Sequence, residues 1–273
     1  MPELPEVETV KRVLSKTVVG KKILAVESNF KKIVVYPDFR TFQDTIIGKK
    51  IESLSRRGKF LLFCLSGGKI MVSHLRMTGH WLVGSRVEKN KFMHFVFQLS
   101  GGQTMVYSDI RKFGRMWLID VKELGKFKPI LKLGPEPLGN EFAFGEFSQK
   151  LAKNKSKIKV VLLNQQVVAG LGNIYVDEVL HDAGISPRRL ANQLKIAEKK
   201  RIYDAIRKII AKAIKFRGTT VVNFTTPEGK GGDFQKQLKV YGKKGNSCPR
   251  CKGEIKRIVV AGRGTHYCPK CQK

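Results

Sequence analysis

Apolar residues between positions 5 and 19 recur at the spacing of one helix face. Pro5 suits the first turn of such a helix, where no backbone N–H is needed. Glu6 and Glu8 place negative charge near the positive end of the helix dipole. The pattern therefore predicts a helix over residues 5–19.

From about residue 21 to residue 120 the pattern changes to short runs rich in Val, Ile, Phe and Leu. Gly67-Gly68 and Gly101-Gly102 separate two pairs of these runs, as hairpin turns do. The spacing predicts a mostly antiparallel β region that folds as a sandwich. The clearest predicted strands are Lys22–Val26, Phe60–Leu65, Lys69–Ser73, Phe92–Leu99 and Gln103–Tyr107.

Helical spacing dominates the second half of the chain. The Pro- and Gly-containing segment 132–137 is typical of a stiff linker. Residues 193–216 carry an apolar stripe that we interpret as ordinary core. Residues 218–235 are polar and Gly-rich, which predicts a mobile loop. The fold class is therefore α+β with several domains.

Charge narrows the kind of partner. The 273 residues contain 53 Lys and Arg against 22 Asp and Glu, a formal net charge of +31. Hydrophobic residues make up 42%, enough for a sizeable core, which excludes an unfolded basic tail. This excess of positive charge indicates a polyanionic partner, either nucleic acid or an anionic membrane surface. The alternative is a generally basic protein surface without such a partner. No apolar run approaches the ~18 residues of a spanning helix, and the start lacks a signal peptide, which predicts no membrane partner and an intracellular protein.

Four of the five cysteines lie close together near the end of the chain. Cys248 and Cys251 are followed after sixteen residues by Cys268 and Cys271. This C-x2-C-x16-C-x2-C spacing predicts one structural zinc ion held by four thiolates, with no position open for chemistry. Cys64, in an apolar run, is interpreted as a core residue.

The amino terminus can supply a nucleophile. Removal of Met1 would leave Pro2 as a secondary amine, and an α-amino group titrates near ~8, well below a lysine. Glu3 and Glu6 lie beside it for acid–base work. An amine that attacks a sugar aldehyde carbon forms a Schiff base, which permits elimination. The alternative is a simple helix start.

Two glycine-rich segments could approach phosphates. Arg263 lies between two glycines in a predicted hairpin over residues 256–267, and Asn173 follows Gly170-Leu171-Gly172 at the start of a predicted helix. A solvated hairpin arginine and a plain glycine turn are the alternatives.

Three segments occur together in this order: Pro2–Thr9, Gly170–Tyr175 and Ala261–Cys268. With them the chain resembles the bacterial formamidopyrimidine-DNA glycosylases. The resemblance implies an N-terminal β-sandwich flanked by helices, a helix–two-turns–helix domain and a C-terminal zinc-finger β-hairpin, with DNA in the cleft between. We expect these domains at 1–133, 134–235 and 236–273.

The resemblance also implies a bifunctional enzyme of base excision repair. It would excise 8-oxoguanine and formamidopyrimidines, then nick the strand by β,δ-elimination as an AP lyase. Its partner would be double-stranded DNA, and we expect a monomer in the cytoplasm, associated with the nucleoid. Alternatives are an endonuclease VIII-like enzyme for oxidised pyrimidines and a non-catalytic, zinc-containing protein that binds damaged DNA.

By resemblance, Pro2 is the nucleophile at C1′ and Glu3 the acid–base group at the sugar. Glu6 and Lys59 assist the chemistry, and Arg263 contacts phosphates and is associated with δ-elimination. Extrusion of the damaged base leaves a gap in the base stack, which Met77, Arg111 and Phe113 would fill. The implied DNA contacts are His74, Met77, His94, Arg111, Phe113, Lys155, Lys159, Asn173 and Tyr241.

The chain departs from the family pattern at two positions. Many members have His-x-His where this chain has Phe92-Met93-His94, and Val222 replaces a common arginine. Both departures concern DNA and base recognition rather than the lyase chemistry. Leu4, with the set of three gap-filling residues, favours the branch that acts on purines.

Overall fold

The computed structural model describes residues 1–87, 90–220, 226–227, 229 and 231–273. The described residues form two compact units. The first comprises Met1–Leu131 with Phe216–Asp233, and the second comprises Lys132–Lys215 with Phe234–Lys273. The segment 216–233, which we expected as part of the helical domain, therefore packs with the first unit. Val222 lies outside the described residues.

Two sheets form the first unit, as the alternating apolar runs predict. Its elements are α1 (Leu4–Val18), β1 (Ile23–Ser28), β2 (Val34–Tyr36), α2 (Phe39–Ile46), β3 (Ile51–Arg57), β4 (Phe60–Leu65), β5 (Lys69–His74), β6 (Gly79–Gly84), β7 (Met93–Leu99), β8 (Gln103–Asp109), β9 (Arg115–Asp120) and α3 (Lys128–Leu131). One sheet has the strand order β1-β7-β8-β6 and the other β2-β9-β5-β4-β3, and among the described strands of this unit only the pair β2 and β9 is parallel. Gly67-Gly68 and Gly101-Gly102 connect antiparallel neighbours, with positive φ at all four glycines.

The core of the first unit lies between the two sheets and under α1. Trp81 is central to it, with its ring centroid 5.4 Å from that of Phe63 and 5.1 Å from that of Tyr107. Val7 and Val10 of α1 are fully buried in the same cluster. The apolar stripe predicted for residues 5–19 therefore anchors α1, and with it the amino terminus, on the sandwich.

The second unit is mainly helical and ends in a hairpin. The helix predicted over 193–216 spans Ile196–Lys215. Ala261 and Gly262 form the hairpin turn with φ of 46° and 74°, so Arg263 is the first residue of the returning strand. No helix among the described residues is both long and apolar enough to cross a membrane. The elements are α4 (Phe144–Ala152), α5 (Ile158–Leu163), α6 (Asn173–Ala183), α7 (Ile196–Lys215), β10 (Lys256–Val260) and β11 (Arg263–Tyr267).

Candidate functional site

The amino terminus is anchored at the first turn of α1. Pro2 is buried, Glu3 is 2% exposed, and Met1 before them is 48% exposed. Glu3 and Glu6 form a reciprocal capping box, in which the Glu3 N–H donates to Glu6 Oε2 over 2.8 Å. The capping box fixes the residue that carries the candidate acid–base carboxylate next to Pro2.

Glu6 also reaches a segment far away in sequence. Its Oε1 accepts the backbone N–H of Thr219 at 2.7 Å. Gly218 has φ +79°, and a Cβ there would lie 2.6 Å from Glu6 Oε1. The position therefore requires glycine. Because both Glu6 oxygens accept backbone N–H groups, Glu6 positions the amino terminus and the segment that begins at Gly218.

Lys59 lies in the two-residue turn between β3 and β4 and is 6% exposed. Arg56 donates to the Gly58 carbonyl in that turn at 2.9 Å and to Glu8 Oε2 of α1 at 3.1 Å. Burial raises the pKa of Glu8, but hydrogen bonds from Arg56 and two basic residues of α1 outweigh it, so the pKa is lowered. The Glu8 carboxylate and Arg56 thus hold the Lys59 turn against α1.

His74 ends β5 and is buried. Its Nδ1 accepts the backbone N–H of Arg76 at 3.0 Å. Burial, and then the charges of Arg76 and Lys59, lower the pKa of His74 to about 3. The imidazole is therefore neutral at physiological pH.

The three side chains expected to fill the gap in the stack are exposed. Met77 is 37% and Phe113 45% exposed, and Arg111 is exposed beside Phe113. The Arg111 Cζ lies 4.6 Å from the centroid of the Phe113 ring, within the range of a cation–π contact. All three side chains therefore lie outside the core.

The expected DNA contact at His94 needs correction. His94 is 3% exposed. Its Nδ1 lies 2.9 Å from Asn29 Oδ1, and its Nε2 lies 2.9 Å from the Asp109 carbonyl. Because both ring nitrogens already have protein partners, the side chain supports the structure and does not face a ligand.

Lys159 also differs from expectation. Its side chain is fully buried, and its Nζ lies 2.6 Å from Asp177 Oδ1. The same Nζ donates to the carbonyl of Gly264, next to Arg263, at 3.3 Å. The ammonium group is therefore a structural cation under the hairpin and is not accessible to a phosphate.

We expect Lys159→Met to lower the free energy of unfolding by about 3–5 kcal/mol, because it leaves the Asp177 carboxylate buried without its partner. The salt dependence of DNA binding should keep its slope. Lys155→Met is the matched control, since Lys155 is exposed in the preceding turn. It should leave stability unchanged and reduce the slope by about 1. Urea unfolding and a salt titration of DNA affinity measure both. A reduced slope in Lys159→Met would contradict the structural role and support a direct contact of Lys159 with DNA.

The start of α6 lies next to the hairpin. The Asn173 amide donates to the Gly264 carbonyl at 2.9 Å, and Asp177 Oδ2 accepts the His266 N–H at 2.8 Å. These bonds and Lys159 fix the backbone immediately after Arg263, whose side chain is exposed. The backbone that carries Arg263 is therefore fixed by hydrogen bonds to α5 and α6.

The backbone of Tyr241 is bound by a side chain of α6. The Glu178 carboxylate, 1% exposed, accepts the backbone N–H groups of Lys239, Val240 and Tyr241 at 2.8–2.9 Å. Burial, the largest effect, raises the pKa of Glu178 although these bonds oppose it. Sequence reasoning missed Asp177 and Glu178. Two adjacent acids between apolar residues of a predicted helix were the available signal.

The four cysteines of the finger converge. Their Sγ atoms all lie within 4.8 Å of one another, with Cys251 and Cys268 at 3.4 Å and Cys248 and Cys271 at 3.8 Å. A tetrahedron with Zn–S bonds of ≈ 2.3 Å needs sulfur atoms about 3.8 Å apart. The predicted zinc site is therefore confirmed, and its residues fit one structural ion.

His181 of α6 adds a contact outside the cysteine cluster. Its Nε2 lies 3.3 Å from the Cys248 Sγ. Burial, and then the Arg250 charge, lower the pKa of His181 to about 4, so the ring is neutral and can donate a hydrogen bond to the sulfur.

Models of three families match the chain in order. The formamidopyrimidine-DNA glycosylase N-terminal domain matches residues 1–116, the formamidopyrimidine-DNA glycosylase H2TH domain matches residues 133–225, and a zinc finger found in FPG and IleRS matches residues 245–273. The same three parts appear in the order in which the sequence motifs occur.

Curated relatives are similar over the whole chain. A formamidopyrimidine-DNA glycosylase of Streptococcus mutans is 47% identical, with all of both chains covered. One of Pelotomaculum thermopropionicum is 43% identical, covering 100% of this chain and 99% of the relative.

Solved structures from Lactococcus lactis have the same fold. An FPG point mutant bound to a Fapy-dG containing DNA superposes with a TM-score of 0.95 at 41% identity and full coverage of both chains. A complex of the Fpg with an abasic site containing DNA gives 0.94 at 42% identity, with 99% of each chain covered.

Proposed function

The chain belongs to the formamidopyrimidine-DNA glycosylase family, and we propose that it is a base excision repair glycosylase for oxidised purines that also cleaves abasic sites as a lyase. The observation that supports this most strongly is the buried amino terminus, where Pro2 and Glu3 are fixed by the capping box. The substrate class follows from the DNA named in the Lactococcus lactis complexes.

In the proposed reaction the secondary amine of Pro2, freed by removal of Met1, attacks C1′ of the damaged nucleotide. The bond between C1′ and the base breaks, and the base leaves with a proton. Opening of the sugar ring, with Glu3 as the proton donor, gives a Schiff base. Loss of a C2′ proton then expels the 3′ phosphate, and a second elimination expels the 5′ phosphate. Pro2 directly precedes the cap of α1, and the positive end of the helix dipole disfavours the protonated amine, which keeps it nucleophilic.

The remaining residues have supporting roles in this proposal. Glu6 positions Glu3, and Lys59 assists at the sugar and contacts a phosphate. Exposed Arg263 contacts phosphates, and Asn173, whose side-chain amide also donates to the Gly264 carbonyl, makes a further phosphate contact. The bulk of the +31 charge supplies salt-dependent attraction to DNA that does not depend on sequence.

Three exposed side chains take the place of the extruded nucleotide. Phe113 enters the stack as a wedge, Met77 fills the gap, and Arg111 bonds the orphaned base. We expect the enzyme to act as a monomer, and a DNA substrate supports a location in the cytoplasm at the nucleoid.

The decisive experiment traps the Schiff base with borohydride on a duplex that contains 8-oxoguanine opposite cytosine. We expect a covalent adduct with the native chain. A chain extended at the amino terminus, whose Pro2 nitrogen is an amide, should give none.

Three outcomes would contradict the proposal. An undiminished adduct in the extended chain would point to a lysine nucleophile. No adduct with folded, DNA-binding protein would indicate a non-catalytic binder. Trapping only on oxidised pyrimidines would indicate an endonuclease VIII-like enzyme.

A further inference from the structure

Two loops of the first unit run side by side. The Met77 loop (residues 75–78) connects β5 to β6, and the Phe113 loop (residues 110–114) connects β8 to β9. Strands β5 and β9 are neighbours in one sheet, and β6 and β8 are neighbours in the other. Each loop therefore crosses from one sheet to the other at the same end of the sandwich.

A single buried carboxylate joins the two loops. Asp109, the last residue of β8, is 0% exposed. Its Oδ1 accepts the Thr78 hydroxyl at 2.5 Å from the Met77 loop and the Arg111 N–H at 3.2 Å from the Phe113 loop. Its Oδ2 accepts the Gly114 N–H at 2.7 Å. The Thr78 hydroxyl oxygen also accepts the Arg111 N–H at 3.1 Å, which closes the link.

Both loops contain a residue in a strained, left-handed backbone conformation, which the hydrogen bonds of Asp109 help to stabilise. Arg76 and Lys112 have φ of 55° and 56°, and each directly precedes an exposed residue of the gap-filling set. A left-handed conformation costs a non-glycine residue roughly 1–2 kcal/mol. The Lys112 N–H donates to the Asp109 carbonyl at 3.2 Å, so the same residue stabilises the strained turn.

Tight packing below the loops removes other arrangements. A Cβ at Gly79 or at Gly114 would overlap the hydroxyl of Tyr107, which is fully buried between them. Gly79 directly follows the Met77 loop, and Gly114 is the last residue of the Phe113 loop. The loops therefore have a closely packed base and exposed tips.

We propose that Asp109, through the Thr78 hydroxyl and the Gly114 amide, is a positioning residue that fixes Met77, Arg111 and Phe113 relative to one another for entry into the DNA stack. The proposal rests on the proposed function. Separate loops would have to order on binding, whereas joined loops present the wedge and the base-reading arginine already in register. Asp109 itself stays buried and touches no DNA.

The test uses Thr78→Val in the full-length, zinc-loaded protein, because it removes the bridging hydroxyl and keeps the carboxylate. Thr104→Val is the matched control, since its hydroxyl donates to Gln98 Oε1 at 3.0 Å at the other end of β8. Asp109→Asn is the second variant, and thermal melting shows whether each is folded. The first measurement uses a duplex with a non-cleavable abasic analogue opposite cytosine. A 2-aminopurine next to the analogue reports stacking of the wedge by fluorescence, without catalysis.

The second measurement compares excision of 8-oxoguanine opposite cytosine and opposite adenine with cleavage of a preformed abasic site in single-stranded DNA. We expect Thr78→Val to change the fluorescence, to lower excision from the duplex by about 10- to 100-fold and to reduce the preference for cytosine, with single-strand cleavage retained. Thr104→Val should behave as the native protein.

Unchanged fluorescence and unchanged cytosine preference in folded Thr78→Val and Asp109→Asn would overturn the proposal. So would an equal loss on both substrates, which a merely structural role predicts. Failure of the native protein to excise 8-oxoguanine would refute the proposed function instead, and the fluorescence would still decide the role of Asp109.

Discussion

Glu3→Gln is expected to lower single-turnover excision of 8-oxoguanine by about 10²–10⁴-fold, because a glutamine cannot transfer the proton that the sugar needs. The fold should survive. The Glu3 side chain accepts an N–H of the first helical turn in the capping box, and a glutamine carbonyl can accept the same bond. DNA affinity, measured by fluorescence anisotropy, should remain that of the native protein.

Glu52→Gln is the matched control for this variant. Glu52 is an exposed carboxylate of β3 in the same unit, and its loss should leave excision unchanged. Excision by Glu3→Gln at the native rate would refute the acid–base role. A melting temperature lowered in Glu3→Gln alone would show that the carboxylate serves the cap rather than the chemistry.

Removal of zinc should unfold the finger and abolish specific DNA binding. Its apolar cluster contains two aliphatic residues, Val240 and Ile255, together with the four cysteines. So small an apolar core cannot offset the loss of a zinc ion, whose binding contributes on the order of 10 kcal/mol in such modules. Arg263 would then lose its fixed position.

Cys268→Ser and treatment with a chelator should each release the metal. Both should also remove the protection of the finger amides against hydrogen exchange. Cys64→Ser is the control, because Cys64 lies in β4, outside the zinc cluster. Amide protection in residues 245–273 that persists without zinc would show that the finger is stable by itself.

Local patterns predicted much of this protein. Phe60–Leu65 is a strand with the predicted bounds, since a strand buried on both faces reads as a continuous apolar run. The zinc ligands were predictable from spacing alone. The side chains proposed to fill the gap could be selected only through the resemblance, because an exposed Phe113 cannot be told from a core phenylalanine by periodicity.

The errors share one cause. Lys159 and His94 were assigned to DNA through the resemblance, yet each is paired with a buried acceptor that its local sequence does not reveal. Asp109 and Asp177 were missed for the same reason. A partner 18 or 31 residues away leaves no trace in local periodicity.

The hydrogen bond from Thr219 to Glu6 joins residues 213 positions apart. The first unit is therefore discontinuous in sequence, and its segment 216–233 is synthesised after the helices of the second unit. During translation the amino-terminal helix can fold early, but Glu6 lacks one of its two backbone partners until most of the chain has left the ribosome. Full assembly of the amino terminus is thus a late event, so a truncated nascent chain carries Pro2 and Glu3 without the complete setting around them.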